Sequence, residues 1–490
     1  MGIIIKQSIK GSIWSYLGVG LGFVTTVYLF PRYLDTDTIG LFGLLVAYAV
    51  LFSQFVSLGI NGVTAKLFPY FRNKENGHNG YLFISSMVLV VGSIIFLAIF
   101  SFFSPVLVES NLEKSKLFAD YLYLIVPLTI LTAFFTFFDV YNKLLYDAVF
   151  GTFLQEFLQR VFILIITLFF VFRLLTLNQL IIAYAIVVSL KTFIFFIHLL
   201  GKKEIDFRPR LDFIGKDLRN EMISVSAFSI LAGFGSTVVF NIDKIIVNQM
   251  IDLGSTGVYT IAFYFGALVV IPSRPLLKIS GTIIAESWKR NDLKEIDTIY
   301  QKTCLNQFII GGLIFIGIWA NVGNILKMLG PGYVNGKWVI FFIGLGYLID
   351  MVTGANNQII SFSKYYKTML WFVIVLIVLV IITNLIFIPI WGITGAAIAS
   401  AVSMLINNLM RYIFIYRKFH FQPFNYRFLL IALSLVIAYF SSRLIPEMEL
   451  ISDIIVRSSL ITFVFGALII TFGVSTDINS MFRNIINRFK

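Results

Sequence analysis

The chain has 490 residues, of which 58% are hydrophobic and 13% are charged, and its mean hydropathy is +0.90. Soluble globular proteins carry about 25% charged residues, so this composition excludes a soluble enzyme, a nucleic-acid-binding protein and a secreted scaffold. The net charge of +13 is typical of a membrane protein whose Lys and Arg residues collect in cytoplasmic loops.

The N-terminal segment MGIIIKQSIKGSIWSYLGVG has a short basic start and continues as an apolar stretch to Leu34. This stretch is longer than the core of a signal peptide and no small-residue cleavage site follows it, so it predicts a retained first span. Gly18, Gly20 and Gly22 lie within this span and lack the strand–turn–helix context of a nucleotide-binding loop. They indicate close helix packing instead.

Apolar runs separated by short polar breaks predict an all-α membrane protein with about fourteen transmembrane helices, since each span needs about 20 residues. We expect the spans near residues 13–34, 38–60, 81–104, 119–142, 150–172, 177–200, 223–250, 255–280, 304–326, 336–360, 368–389, 391–415, 427–445 and 452–474.

Basic residues fix the predicted orientation. The loops on one side hold roughly three times as many Lys and Arg residues as the loops on the other, which places both termini and the longest loop, residues 201–221, in the cytoplasm. Residues 477–490 place apolar side chains at 3, 4 and 7 spacing, with Arg483, Asn484, Asn487 and Arg488 on the opposite face. This pattern predicts an amphipathic, basic tail on the cytoplasmic leaflet.

An internal repeat relates the two halves of the chain. LDTDTIGLF at residues 34–42 matches IDLGSTGVY at residues 251–259. The match aligns Asp35 with Asp252 and Gly40 with Gly257, at an offset of 217 residues without gaps. Because six predicted spans separate the two segments, the halves share one orientation, which predicts a parallel repeat about an axis along the membrane normal.

Two stretches carry a resemblance to a known family. KGSIWSYLGVGLGFVTTVYLFPRYLDTDTIGLFGLL, near the N-terminus, is similar to the start of the Wzx-type polysaccharide and oligosaccharide flippases. FNIDKIIVNQMIDLGSTGVYTIAFYFGALVVIPSRPLLKI resembles their seventh and eighth helices, in which an Asp lies late in the helix and G-x-Y follows the turn. These flippases belong to the multidrug/oligosaccharidyl-lipid/polysaccharide exporter superfamily, with the lipid II flippases and the multidrug–cation antiporters.

The resemblance implies two six-helix lobes around a central cavity. The N-lobe would comprise helices 1–6 in residues 1–200, and the C-lobe helices 7–12 in residues 222–418. The cytoplasmic loop 201–221 would join them, and helices 13 and 14 would follow in residues 419–476.

The resemblance also implies a function in the bacterial inner membrane. An undecaprenyl-diphosphate-linked oligosaccharide would cross to the periplasmic face by alternating access, for export as O-antigen, capsule or exopolysaccharide. The implied partners are this lipid-linked sugar, membrane lipids and a polysaccharide polymerase, but no nucleic acid. We expect no catalytic residue, no metal site and no cofactor other than a coupling cation, H⁺ or Na⁺.

Charges within the predicted spans are candidates for function because each one is costly in hydrocarbon. Arg274 and Lys278 lie four residues apart in span 8 and would bind a diphosphate, or else snorkel to the interface. Arg32 follows Pro31 at the outer end of span 1 and has the same two interpretations.

Acidic residues within the spans give a second set of candidates. Asp243 in span 7 and Asp350 in span 10 would bind the coupling ion, or else serve as structural polar groups. Two acid-before-base pairs at i, i+4 spacing predict ion pairs within single helices: Asp139 with Lys143, and Glu156 with Arg160. We expect Lys191 and His198, in span 6, to lie at the membrane interface.

Three other functions remain open at this point. A multidrug–cation antiporter would need an acidic cavity, whereas the pair in span 8 is basic. A lipid II flippase differs only in its substrate. An O-antigen polymerase or ligase acts on the same lipid carrier, but it works through a large periplasmic loop that the predicted topology does not contain.

Overall fold

The computed structural model describes residues 2–202, 204–475 and 479. Every regular element in this part of the chain is helical. The α-helices are α1 (Gly2–Gly22), α2 (Phe30–Tyr33), α3 (Thr36–Val56), α4 (Ile60–Phe71), α5 (Tyr81–Asn111), α6 (Lys116–Tyr121), α7 (Ile125–Leu144), α8 (Val149–Thr152), α9 (Gln159–Val171), α10 (Leu177–Gly201), α11 (Lys216–Met250), α12 (Leu253–Ala267), α13 (Ser273–Arg290), α14 (Leu293–Ala320), α15 (Val322–Leu329), α16 (Lys337–Val352), α17 (Asn356–Phe362), α18 (Thr368–Trp391), α19 (Ile393–Phe419), α20 (Tyr426–Ser442) and α21 (Leu450–Thr471).

Shorter helical segments connect several of these helices. Two π-helical segments continue α1 and α8, at Phe23–Leu29 and Phe153–Leu158. The 3₁₀ turns are Gly77–Gly80, Leu122–Leu124, Leu211–Phe213, Leu268–Val270 and Pro331–Gly336.

Twelve segments of the described chain are long and apolar enough to span a membrane. The predicted class, an all-α multi-pass membrane protein, is therefore confirmed. The twelve segments are Lys10–Tyr33, Thr36–Val56, Gly77–Asn111, Lys116–Leu144, Val149–Val171, Leu177–Gly201, Leu253–Val270, Leu293–Ala320, Pro331–Val352, Thr368–Trp391, Ile393–Phe419 and Leu450–Thr471.

The predicted number of fourteen spans is not confirmed, because two predicted spans fall on helices outside these twelve. The first, α11, has 35 residues; it begins with the charged run Lys216–Glu221, and no charged residue follows in residues 222–242. The second, α20, has 17 residues and is therefore about 25 Å long, shorter than a hydrocarbon core of about 30 Å. Both stay predicted spans.

The chain divides into two compact units, residues 1–260 and 261–490. In the first unit, α11 packs against α3 and α4, so this helix belongs by packing to the unit that precedes it. The two predicted six-helix lobes, residues 1–200 and 222–418, have other boundaries than these units and remain a prediction. The predicted tail, residues 477–490, lies outside the described residues except for Asn479.

The two repeats begin their second helices in the same way. Asp35 caps α3 by accepting a hydrogen bond from the Thr38 backbone N–H at 3.0 Å. Asp252, at the equivalent position, accepts one from the Ser255 N–H at 2.6 Å. An Asp at this position satisfies a backbone donor that the helix start leaves without an intrahelical partner.

The start of the 201–221 loop is attached to residues 72–80 of the same unit. The Glu204 carboxylate accepts a hydrogen bond from Lys74 Nζ at 2.6 Å and lies 2.8 Å from Nε2 of the buried His78. Gly77 has a φ of +53°, and a Cβ there would lie 1.9 Å from Asp206 Oδ2. A residue with a side chain would therefore be both strained and sterically blocked at this turn.

In the second unit, α20 and α21 pack against α14 through an apolar cluster that includes Leu305, Ile431 and Phe465. A buried ion pair adds to this contact. Arg457 Nη2 lies 2.7 Å from Asp453 Oδ1, and Arg457 Nη1 donates to the Ser442 backbone carbonyl at 2.6 Å. The pair joins α21 to the end of α20.

Candidate functional site

The predicted basic pair lies just after an interruption of the eighth predicted span. The 3₁₀ turn Leu268–Val270 follows α12, and α13 begins at Ser273 with Pro272 as its N-cap residue. Arg274 and Lys278 therefore occupy the first two turns of α13, and both are exposed. The apolar helical segment ends at Val270, and the pair follows it at the start of α13.

This position concentrates positive charge. Arg274 and Lys278 place two positive charges within the first two turns of α13, and Arg274 is the second residue of that helix. Arg274 forms no side-chain hydrogen bond or ion pair with any other described residue. Its guanidinium donors are thus free to bind an anion such as a phosphate.

Arg32, the third diphosphate candidate, lies in α2, immediately after a π-helical segment. The side chain is exposed, and its Nη1 donates to the Tyr28 hydroxyl at 3.2 Å. The guanidinium also lies 5.9 Å from the centroid of the Tyr28 ring. Arg32 is therefore held against a tyrosine on the preceding helical turn.

The ion-coupling candidate Asp243 lies near the C-terminus of α11 and is 2% exposed. The Tyr259 hydroxyl, from α12, donates to Asp243 Oδ2 at 2.7 Å. The next residue, Lys244, is also buried. A buried carboxylate with a hydroxyl donor beside it can take up a proton or a small cation, because either one reduces the cost of its buried charge.

The second ion-coupling candidate, Asp350, is half-buried and belongs to a polar cluster in the other unit whose remaining members are buried. Asn408 donates from Nδ2 to Asp350 Oδ1 at 3.1 Å, and its Oδ1 accepts hydrogen bonds from Thr353 and Asn356, both at 2.9 Å. Gly354, with a φ of +59°, makes the turn between α16 and α17 that brings Thr353 and Asn356 to Asn408.

The chemistry of this Asp350 cluster is oxygen-rich. A carboxylate, an amide carbonyl and a hydroxyl are the ligand types that hard cations prefer. Arg411, one turn after Asn408, acts electrostatically on Asp350. This guanidinium would compete with a cation for the carboxylate.

Both predicted ion pairs are in contact in the structure. Lys143 Nζ lies 2.5 Å from Asp139 Oδ2, and Arg160 Nη2 lies 2.9 Å from Glu156 Oε2. Arg160 also donates from Nη1 to the Gly18 carbonyl at 2.7 Å, which joins the fifth predicted helix to the first.

The three glycines of the first helix differ in their surroundings. A Cβ on Gly18 would lie 1.9 Å from the Glu156 carbonyl oxygen, and one on Gly22 would lie 2.7 Å from Arg160 Nη1. A Cβ on Gly20 would meet nothing within 4 Å. Close packing against backbone therefore requires glycine at Gly18; at Gly22 the neighbour is the flexible end of Arg160, and Gly20 faces open space.

Lys191, which we expected at the membrane interface, has its side chain buried inside the first unit and only 9% exposed. The sequence contains a signal for this burial. Val187, Val188 and Phe195 lie three or four residues from Lys191, and all three are buried. Lys191 thus occupies the apolar, core-facing side of α10.

Among the described residues, no group of three or more His, Cys, Asp or Glu side chains is placed to hold a metal ion. Cys304 is buried in the apolar core of the second unit.

Comparison with known proteins gives a family match and a fold match. The family model described as "Polysaccharide biosynthesis protein" matches residues 6–284. No curated protein sequence matches the chain.

Several solved structures have a similar fold. The lipid II flippase MurJ, in an inward closed conformation, matches with a TM-score of 0.74 and 15% identity, covering 95% of this chain and 100% of MurJ. An inward-facing multidrug resistance MATE family transporter of the MOP superfamily matches with a TM-score of 0.57 and 13% identity, over 84% of this chain and 94% of the other. The MATE multidrug transporter DinF-BH matches with a TM-score of 0.56 and 17% identity, over 85% of this chain and 95% of the other.

Proposed function

The chain belongs to the polysaccharide biosynthesis protein family, and from this premise we propose that it is a lipid-linked oligosaccharide flippase. Its substrate is an undecaprenyl-diphosphate-linked repeat unit, which it moves from the cytoplasmic to the periplasmic face of the bacterial inner membrane by alternating access. Both termini lie in the cytoplasm. A diphosphate and a sugar chain cannot cross about 30 Å of hydrocarbon unaided, so a protein must provide a polar route.

The observation that carries this proposal is the basic pair at the start of α13. Arg274 and Lys278 lie on a helix N-terminus, and Arg274 is exposed and unpaired within the described residues. An anionic headgroup gains from both positive charges. The diphosphate binds here, and Arg32 is a further candidate for contact with it.

A coupling cation, H⁺ or Na⁺, binds at Asp243 or Asp350 and drives the conformational cycle. Each of these carboxylates is held by a hydrogen bond from a neighbouring helix. Occupation of such a site changes the charge between two packed helices, and so favours one conformation over another.

The alternatives in the same superfamily differ in the charge or the identity of the substrate. A multidrug–cation antiporter binds cations, which the pair Arg274 and Lys278 would repel. A lipid II flippase also moves a diphosphate lipid. The two functions therefore differ only in which lipid-linked intermediate accumulates when the protein is absent. A polymerase or ligase fits less well, because the predicted external loops are short.

The decisive experiment is a deletion strain in which undecaprenyl-linked intermediates are extracted and assigned to a membrane face. We expect complete repeat units to be trapped on the cytoplasmic face. Repeat units that reach the periplasm unpolymerised would identify a polymerase. An accumulation of lipid II would identify a lipid II flippase, and unchanged lipid-linked sugars with altered sensitivity to cationic drugs would identify an antiporter.

The role of the basic pair is tested by complementing this strain. Replacing both Arg274 and Lys278 with Gln should abolish complementation while membrane insertion stays normal. Gln at both Lys289 and Lys294 is the matched control, since these exposed lysines lie near the other end of α13 and their removal lowers the net charge equally. Normal complementation by the first double variant would contradict the diphosphate site.

A further inference from the structure

A buried lysine lies between three helices of the first unit. Lys191, on α10, donates from Nζ to Gln159 Oε1 on α9 at 3.0 Å. Its Nζ also lies 4.6 Å from the centroid of the Phe135 ring on α7. A neutral amide and an aromatic face are weak partners for a buried ammonium.

The charges around Lys191 come from every helix packed against it. Asp139 and Lys143 lie on α7, Glu156 lies in the π-helical segment Phe153–Leu158, and Arg160 lies on α9. Of these groups, the carboxylates of Glu156 and Asp139 attract Lys191.

Each of these carboxylates already has its own cation. Asp139 is paired with Lys143, and Glu156 is paired with Arg160. Lys191 is therefore the cation of this group that lacks an ion-pair partner of its own in the described structure. Removing its proton would leave two balanced acid–base pairs, whereas in its charged form the group carries one excess positive charge.

We propose that Lys191 is a proton-binding site through which a pH gradient acts on transport. The reaction is the loss of one proton from the ammonium to give a neutral amine, with no bond change elsewhere. The neutral amine can still donate to Gln159, so the hydrogen bond survives in both states. What changes is the attraction between α10 and the carboxylates on α7 and the π-helical segment.

The inference rests on the proposed function, because it assigns to that transport a proton site distinct from Asp243 and Asp350. The π-helical segment is the element most directly affected. It carries Glu156, and it packs against Trp14 of α1 with ring centroids of Phe153 and Phe157 both 4.8 Å from the indole. Trp14 is thus a natural optical reporter for a change at Lys191.

The first test follows Trp14 fluorescence against pH in the purified full-length chain, with the other five tryptophans replaced by Phe. We expect a titration step within about pH 6 to 11, the range open to a perturbed lysine. Lys191→Met should abolish this step, and so should Lys191→Arg, because a guanidinium stays charged over this range. Lys191→Arg also preserves the charge, so the test stands even if Lys191→Met fails to fold.

Lys143→Met is the matched control, since it removes a lysine of the same group that is already paired with Asp139. It should keep the step with a shifted midpoint. Persistence of the step in Lys191→Arg, or its absence from the parent protein, would overturn the proposal.

The second test links the site to transport in proteoliposomes loaded with the undecaprenyl-linked sugar from the deletion strain. Collapsing the pH gradient should slow the parent protein at least severalfold and leave Lys191→Arg unaffected. An equal response of both proteins would overturn the role in coupling. A Lys191 titration step with no change of lipid-linked sugars in the deletion strain would refute the proposed function alone, whereas trapped sugars without the step would refute the proton site alone.

Discussion

Gly40 on α3 and Gly257 on α12 lie backbone to backbone, and they are equivalent positions of the internal repeat. A Cβ on Gly40 would lie 2.1 Å from the Leu253 carbonyl oxygen, and a Cβ on Gly257 would lie 1.9 Å from that of Thr36. Thr36 and Leu253 are themselves equivalent at the same offset. A contact that repeats in this way is what a two-fold axis between the two glycines would produce, so it supports the register of the repeat.

The close contact predicts that neither glycine can be replaced. In Gly40→Ala the new methyl group would meet the backbone of α12, which cannot move aside as a flexible side chain can. We expect a loss of about 1–3 kcal/mol in the free energy of unfolding, and the same for Gly257→Ala. Thermal unfolding in detergent, monitored as the fraction of protein that remains monodisperse, measures this loss.

Gly20→Ala is the control for these variants, because a Cβ there meets nothing within 4 Å. It should be neutral or slightly stabilising, since Ala is a better helix former than Gly. Equal stability of Gly40→Ala and Gly20→Ala would contradict the close contact.

The sequence was sufficient to predict the features that depend on local order along the chain. The helical spans follow from apolar runs, and the alignment of Asp35 with Asp252 follows from the repeat. The pairs Asp139–Lys143 and Glu156–Arg160 follow from i, i+4 spacing, which brings side chains together on any helix.

What the sequence could not predict depends on how helices are rotated against one another. Asp350 and Asn408 are far apart in the chain and meet only because α16 packs against α19. The apolar neighbours of Lys191 on α10 indicate its burial, but its contacts with Gln159 and Phe135 depend in the same way on how α9 and α7 pack against α10. The difference between Gly18 and Gly20 has the same origin.

The attachment of the 201–221 loop should depend on pH. Burial opposes ionisation of Glu204, but the hydrogen bonds from His78 and Lys74 outweigh it, so the pKa of this carboxyl lies below its ordinary value of 4.5. A lowered pKa stabilises the folded form wherever the carboxylate is charged. The contribution is therefore complete above about pH 4.5 and is lost as the pH falls through the lower, folded-state pKa.

Hydrogen exchange of residues 204–213 measures this attachment. Glu204→Gln should speed exchange about 10- to 100-fold at neutral pH, which corresponds to about 1.4–2.8 kcal/mol, and should remove the acid dependence. Glu221→Gln is the control, since its ion pair with Lys66 is exposed on both sides and should contribute about 0–1 kcal/mol. Unchanged exchange in Glu204→Gln would show that other contacts hold the loop.

The stability of the protein should fall when one partner of the α21 ion pair is replaced, and it should largely recover when both partners are replaced. Arg457 and Asp453 are 7% and 4% exposed, so Arg457→Met leaves a buried carboxylate without its cation. We expect a loss of about 3–5 kcal/mol from this variant. Combining it with Asp453→Leu should restore much of the loss, because the pair is then replaced by apolar side chains.

An exposed pair nearby provides the comparison for Arg457. Lys327 and Glu447 lie 3.3 Å apart with side chains 62% and 88% exposed, so Lys327→Met should cost no more than about 1 kcal/mol. Thermal unfolding of the variants side by side gives the ranking. A double variant of Arg457 and Asp453 that is no more stable than Arg457→Met would contradict the argument from buried charge.

Asp243 offers a test of whether a buried carboxylate couples transport to an ion gradient. Asp243→Asn keeps an oxygen that can accept the hydrogen bond from Tyr259, but it removes the charge and the proton-binding group. We expect transport of the lipid-linked sugar to lose its dependence on the ion gradient while the protein remains folded. Proteoliposomes with imposed proton or sodium gradients, supplied separately, also identify the ion.

Tyr259→Phe is the matched variant, since it removes the hydroxyl that donates to Asp243 at 2.7 Å and leaves the carboxylate in place. It should destabilise the protein by about 1.5–3 kcal/mol, the range for a hydrogen bond to a charged group, and keep the gradient dependence. Retention of that dependence in Asp243→Asn would assign Asp243 a structural role. Coupling would then depend on Asp350 or Lys191. The variants Asp350→Asn and Lys191→Arg, measured under the same gradients, distinguish these two sites.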